Sequence, residues 1–318
     1  MSGSPLPQRF GLDAARIRMP AEGPWATLRE HLHDRLSRVD DERIDDVLRS
    51  GGYVDDDGVP LGLDAPFVAG QRIWFHRDLP DEPQVPFEIG ILHADERIVV
   101  VDKPHFLATI PRGQHIRQTV LVKVREQLGL PELAPAHRLD RATAGVLMFT
   151  TGRRWRGSYQ NVFRDRLAHK TYLALAPIRD DLVLPVVVRS NIVKERGVIQ
   201  AHQRVDLPPN SESLVELIEP VPAIGSQAGP ALGLYRITPH TGRTHQIRLH
   251  LLLLGIPIVN DQLYPELTDT GRDDFSTPLQ LLAESLSFTD PIDGTDRRFV
   301  SRRRLDSAHE RPGRRTGQ

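Results

Sequence analysis

The stretch AHRLDRATAGVLMFTT, residues 136–151, sets one carboxylate, Asp140, among basic side chains. A small-residue turn and an apolar run, Val146 to Phe149, follow at once. Val146 to Thr150 reads as a buried strand, because a short unbroken apolar run beside a turn fits a strand covered on both faces. Taken alone, the Asp-Arg pair is an ordinary salt bridge, and Asp ahead of a turn is common. A second stretch, PHTGRTHQIRLHLLLLGIPIVNDQLY at 239–264, changes that reading. It reads as a strand, a Thr-Gly-Arg turn, and a helix from Gly242 to Leu254 capped by Gly255. Ile247, Leu251 and Leu254 take core spacing, while His245 and Arg248 share the other side. A helix start carrying Arg243 and His245 suits an anion such as phosphate, and equally sets an arginine against a buried carboxylate.

Working outward, ILHADERIVVVDKP (91–104) is a hairpin that Pro104 ends. Val120, Leu121, Val124 and Leu128 make a helical stripe capped by Gly129, and Trp155, Tyr159, Val162 and Phe163 make another. HKTYLALAP (169–177) alternates as a strand, with Lys170, Tyr172 and Ala174 on one face. LVLPVVV, GVIQAHQRV, SLVELIE and LGLYRIT read as further strands. Few helices among many strands, without βαβ alternation, predict an α+β fold: a mostly antiparallel mixed sheet flanked by helices, over residues 88–295. Before it lies a small α/β module, 25–80. Its helices carry Leu28, Leu32 and Leu36, then Ile44, Val47 and Leu48 after an Asp40 or Asp41 cap. GGYVDDDGV and GQRIWFH add a short β-element, and RDLPDEPQVP reads as a linker. Residues 1–24 are Pro- and Gly-rich and read as loosely ordered; 296–318 read as a basic tail.

The 318 residues contain no cysteine, which excludes a disulfide scaffold, thiol catalysis and thiolate metal sites and fits a cytoplasmic protein. The most apolar stretch, Leu249 to Val259, is broken by His250, Gly255 and Pro257, so no membrane span is expected. Net charge is −1, yet the charges segregate: acidic residues crowd the N-terminal third, and arginines crowd 138–166 and the C-terminus. The central cluster, around Asp140, reads as a polyanion-facing surface; for the tail, phosphate contact and simple solvation both stay open. His240, His245 and His250 are five apart, a spacing that brings no two rings to one metal. His31 and His33, two apart on a helix, diverge as well. No glycine-rich nucleotide loop and no nucleophile-elbow serine is present.

HRLDRATAGVLMFT, then KTY, then TGRTHQIRLHLLLLGIPIVNDQLY resemble, in order and spacing, the successive signatures of the RluA-type RNA pseudouridine synthases. DERIVVVDKP resembles that family's opening hairpin, and together these cover about 88 to 290. Three departures stand out: Ala144 replaces a serine, Asp102 an asparagine, and HFLATIPRGQH the usual Ser-Gly-Leu turn. The module is similar in outline to the RNA-binding domain of ribosomal-protein-S-four type that often precedes this catalytic domain.

The resemblance implies an enzyme that isomerises uridines already in structured RNA, ribosomal RNA favoured over transfer RNA, with neither cofactor nor metal. It gives Asp140 the role of nucleophile or of the base that starts a glycal route, and makes Arg248 the cation that keeps it ionised. Tyr172 is implied to pack on the uracil and assist removal of the C5 proton. The target uridine must flip out of its stack, with Arg138 filling the vacated space or holding a phosphate. Arg141, Lys170, Arg243, His245 and Gln246 complete the implied RNA-binding set. Two rivals remain open: a non-catalytic RNA-binding protein on the same fold, and a glycoside or nucleoside hydrolase, which needs a second carboxylate.

Overall fold

In the computed structural model, residues 4–79, 81–221, 231–268, 271 and 274–305 are described. The chain divides into two compact units, Met1–Asp81 and Glu82–Gln318.

The first unit contains β1 (Ala15–Arg18), α1 (Leu28–Arg35), α2 (Asp41–Arg49) and β2 (Arg72–Phe75). Thr27 caps α1 by accepting from the Glu30 N–H, and Asp40 caps α2 by accepting from Glu42. Asp45 joins the helices, taking two hydrogen bonds of 2.7 and 2.6 Å from Arg29 and contacting His33 at 3.0 Å. The stretch read as loosely ordered, 1–24, is corrected here. Ala15–Arg18 pairs antiparallel with Arg72–Phe75, because Ile17 and Met19 are needed in the small core of Leu28, Leu32, Ile44, Leu48 and Ile73.

The second unit is built on a ten-stranded mixed sheet. Its elements begin with β3 (Gly90–Ala94), β4 (Ile98–Lys103), α3 (Val120–Leu128), β5 (Ala134–Pro135), β6 (Ala144–Thr150), α4 (Arg153–Arg164) and β7 (His169–Pro177). There follow β8 (Val186–Ser190), β9 (Ile192–Val193), β10 (His202–Gln203), β11 (Ser211–Val221), β12 (Leu232–Pro239), α5 (Gln246–Leu253), β13 (Leu281–Thr289) and β14 (Asp296–Val300). The strand order is β3-β4-β6-β13-β7-β12-β11-β8, with β5 beside β6 and β14 beside β13. Neighbours run antiparallel except β6 and β13, which are parallel.

Every residue of β4 and β6 is buried, which explains their unbroken apolar runs. Val99, Val101, Leu147 and Phe149 pack under α3 with Val120 and Val124. Ile98, Val100, Val146 and Met148 pack under α4 with Tyr159 and Val162. Gly145 is required where β6 meets β13: its φ is 111°, and a Cβ there would stand 2.1 Å from the Ala283 carbonyl oxygen. The third layer of core lies beneath α5, where Ile247 and Leu251 meet Ala174, Val215, Tyr235 and Ile237.

Three expectations are revised. GVIQAHQRV yields only the two-residue β10, paired with β9. The helix expected from Gly242 begins at Gln246, because His245 stands at φ 57° and breaks helical geometry. The basic tail is in part sheet and latch. β14 pairs with β13, Arg297 bonds Asp290 at 3.2 Å, and the segment after β14 grips Asp102. Residues 306–318 of that tail lie outside the described residues.

Candidate active site

The loop 136–143 carries Asp140 from β5 into β6, and its backbone is clamped from one side. Thr109 Oγ1 donates to the Leu139 carbonyl at 2.8 Å and accepts from the Leu139 N–H at 3.1 Å. Lys103 Nζ donates to the carbonyls of Pro104 and Arg141 at 3.0 and 3.1 Å, and the His105 Nδ1–H reaches the Ala142 carbonyl at 2.6 Å. Both neighbours of Asp140 are therefore fixed before any substrate arrives. Burial holds the Lys103 ammonium well below its ordinary pKa, opposed by the nearby Asp140 charge. Burial also lowers His105 to about 4. Phe106, within the segment that replaces the Ser-Gly-Leu turn, sits at φ 67°, a strained value for an aromatic residue. Its ring lies 5.7 Å from the Arg141 guanidinium carbon, a cation–π contact.

The departure at Asp102 has a partner. Its carboxylate accepts from Ser301 Oγ and from the Arg302 N–H, both at 2.7 Å, and Arg303 Nε lies 3.6 Å away. A buried acid here is matched by an arginine from the far end of the chain.

Asp140 opens into a cleft of about 780 Å³. The ends of the central strands line it: Thr143 before β6, Lys170 and Tyr172 of β7, Pro239 of β12 and Leu281 of β13. The described lining includes eight Lys and Arg side chains (Arg112, Arg138, Arg141, Arg164, Arg166, Lys170, Arg243 and Arg248) and a single carboxylate, Asp140. Arg138 is exposed. Lys170 has its pKa lowered by burial alone. Burial, then the Asp140 charge, push the Tyr172 hydroxyl well above the ordinary phenol range. His137 lies in the same lining. Stacked on Phe163 at 4.4 Å, its Nε2 accepts from the Met148 N–H, and burial lowers its pKa to about 3.

Two implied roles meet a different geometry. Arg248 was expected against Asp140. Its two-pronged guanidinium instead grips Asp261, Nε to Oδ2 at 2.8 Å with a second, shorter bond to Oδ1, and both side chains are almost fully buried. The reason is local: Asp261 also accepts from the N–H groups of Leu263 and Tyr264, so the turn after α5 presents it as a ready-made receptor. Gln246 was expected on RNA but is buried, and its amide is spent on the loop before α5. Oε1 accepts from Thr241 Oγ1 and the Arg243 N–H; Nε2 donates to the Glu212 carbonyl and Ser213 Oγ. That network displays Arg243, which is exposed. The basic group within 4.0 Å of Asp140 among the described residues is His245, whose Nε2 stands at 4.0 Å from Oδ2.

The sequence profile described as RNA pseudouridylate synthase matches residues 97–253, a span that holds Asp140 and all of the cleft lining except Leu281. An RNA pseudouridine synthase of Synechocystis is 30% identical over 225 residues, 67% of this chain and 71% of that protein. The dual-specificity RNA pseudouridine synthase RluA of Pasteurella multocida is 31% identical over 224 residues, 66% of this chain and 90% of its own. The chain belongs to the RluA-type RNA pseudouridine synthases. The synthase fold also aligns with human RNA pseudouridylate synthase domain containing 1, at TM-score 0.54 and 25% identity over 70% of this chain and 86% of that one. The synthase is thus an isomerase that modifies RNA. Lys103, His105, Thr109, Asp261 and Tyr264 are the positions around its cleft that reading the sequence did not single out. Asp261 and Tyr264 lay in plain view in NDQLY; the clamp at 103–109 gave no signal beyond its departure from the Ser-Gly-Leu pattern.

Proposed function

We propose that this synthase isomerises uridines in structured RNA by an Asp140-dependent route, and that ribosomal RNA is favoured over transfer RNA as its substrate. What supports the reading is the charge pattern of the cleft: one carboxylate among eight lysine and arginine side chains, of which Arg164 and Arg248 have partners of their own in Asp165 and Asp261. A polyanionic strand laid over those cations brings C1′ of a flipped nucleotide to the one anionic group there. Breaking the N-glycosidic bond and rejoining C5 to C1′ is redox-neutral, so the step draws on a charged carboxylate and on proton movement, not on an electron carrier. Arg138, exposed on the rim beside Asp140, takes the space left by the flipped base or a flanking phosphate; Arg141, Lys170 and Arg243 follow the backbone. Tyr172, on the cleft wall, packs on the uracil. The preference for ribosomal RNA draws on the outline of the N-terminal unit, two short helices and a small β-element.

The test is a map of pseudouridines across all RNAs in cells with and without the gene, complemented by parent protein or by Asp140→Asn. The expected result is loss of one or a few sites in ribosomal RNA, restored by the parent and not by the variant. Sites lost only from transfer RNA overturn the substrate preference, and restoration by Asp140→Asn overturns the role of Asp140.

A further inference from the structure

We propose that His245 is the proton carrier of the isomerisation, taking the proton that leaves C5 of uracil and returning one to N1. This role rests on the isomerase chemistry above and deepens it.

The geometry begins with the residue before α5. His245 stands at φ 57°, in the left-handed region, which is uncommon outside glycine although histidine enters it more readily than most. Tyr264 holds the His245 ring. Its hydroxyl donates to the Ala201 carbonyl at 2.8 Å and accepts from the Ala201 N–H at 2.8 Å. The same oxygen lies 2.9 Å from His245 Nδ1. A phenol has one proton to give. With that proton on Ala201, the contact to His245 is satisfied only if Nδ1 carries the hydrogen and donates. The reverse assignment orphans the Ala201 carbonyl at a buried position. The neutral ring therefore leaves Nε2 bare, and Nε2 is the atom that faces the cleft, 4.0 Å from Asp140 Oδ2.

A bare imidazole nitrogen beside a carboxylate is a base that becomes a better-stabilised cation on taking a proton. The groups around His245 balance that tendency. Asp140, on the loop before β6, and Asp261 favour the cation; Arg248, on its own helix, and Lys194, after β9, oppose it. Burial outweighs them and keeps the ring's pKa below its ordinary value, so the base is free at neutral pH. Tyr172 across the cleft is pushed the other way and keeps its proton.

The atoms balance without a further reagent. The C1′–N1 bond breaks and its electron pair leaves with the uracil. C5 then attacks C1′, which makes C5 tetrahedral with its hydrogen still attached. Nε2 removes that hydrogen as a proton and the ring regains its conjugation. The imidazolium gives a proton to N1, and His245 ends as it began.

The experiment is single-turnover tritium release from RNA labelled with [5-³H]uridine in cells lacking the gene, measured from pH 4.5 to 9. His245→Asn is the informative variant: asparagine tolerates the left-handed conformation and keeps an amide N–H for Tyr264, but has nothing in the place of Nε2. The expected loss in the single-turnover rate at saturating enzyme is roughly 10²- to 10⁴-fold. The parent's rate falls as acid protonates His245; in the variant that limb is gone. Tyr264→Phe removes the acceptor that steadies the imidazolium, so its acid limb moves to lower pH. An Asn variant within a few-fold of the parent overturns the proposal, as does one that is slow yet keeps the parent's acid limb, or a Phe variant whose limb does not move. A parent that releases no tritium while the Asp140 site is intact overturns the isomerase reading itself, and the role of His245 with it.

Discussion

Replacing Arg248 by methionine separates the pairing seen here from the one that the sequence suggested. The Arg248 and Asp261 side chains are 4% and 1% exposed, and Asp261 keeps only the Leu263 and Tyr264 N–H groups once the guanidinium is gone. Removing one partner of a buried pair leaves an uncompensated charge and costs about 3–5 kcal/mol. With a urea slope of roughly 3 kcal/mol per molar, that lowers the unfolding midpoint by roughly 1–2 M. Trp25 and Trp74 belong to the N-terminal unit and Trp155 to α4 of the other, so Trp155 fluorescence in a Trp25→Phe, Trp74→Phe background follows the catalytic unit. Asp261→Asn should cost a similar amount. The double variant Arg248→Met with Asp261→Asn should cost less than the two single losses summed, by about 1–3 kcal/mol. A midpoint for Arg248→Met within about 0.3 M of the parent, with no coupling in the double variant, would refute the pairing and return Arg248 to Asp140.

Four other outcomes follow from the same geometry. His250 is fully buried against Ser190 and Ser211 at 3.0 and 3.1 Å, and burial lowers its pKa to about 4. The unfolded chain therefore takes the proton first, and stability on the order of 3 kcal/mol is lost as pH falls from about 6.5 to 4; His250→Gln should flatten that part of a melting-temperature profile, and an unflattened profile would assign the acid sensitivity elsewhere. Gly145→Ala should lower the melting temperature by at least 5 °C or abolish soluble expression, since no Cβ fits against Ala283; a melt unchanged by the methyl would mean that β6 and β13 sit further apart. Thr109→Val removes both bonds to Leu139, so kcat for uridine isomerisation should fall about tenfold at constant KM, and Thr109→Ser should restore it; a change in KM alone counts against the clamp. Arg138→Ala should reduce the salt slope of RNA affinity by about 0.7–0.9, one phosphate contact, and an unchanged slope would place Arg138 off the backbone.

The elements most legible in the sequence were those whose periodicity answers to burial on known faces. The runs 98–101 and 146–149 are apolar throughout because both sides are covered, and the stripes of α3 and α4 point to opposite faces of that same pair of strands. The cap at Gly129 was equally plain, a local chemical event, whereas that of α2 lay open between Asp40 and Asp41 until the structure gave Asp40. The cleft was legible in its composition: Asp140, Lys170, Tyr172, Arg243 and His245 all line it. What stayed hidden was partnership. Nothing in the order of residues says that Arg248 prefers Asp261 to Asp140, because the choice is made by how a turn orients two backbone N–H groups toward one carboxylate. The same holds for Gln246, a polar residue whose every bond is internal, and for Ala15–Arg18, a strand hidden in a Pro- and Gly-rich stretch because its partner lies at 72–75. The late arginines looked like a tail because a charge run carries no record of the acids, Asp102 and Asp290, that it folds back to meet.

The place of β13 in the sheet has a consequence for how the molecule is made. The strand from Leu281 to Thr289 lies between β6 and β7 at the centre of the sheet, although both are translated long before it. Until it emerges from the ribosome, β6 and β7 each present an open hydrogen-bonding edge, and the floor of the cleft has no middle. The bonds from Ser301 and Arg302 to Asp102 close loops of 199 and 200 residues and come later still. Contacts so distant in sequence slow the approach to the native state. A chain halted before residue 281 lacks the strand that joins β6 to β7 and leaves both edges open. The cleft gains its middle strand only as Leu281–Thr289 arrives.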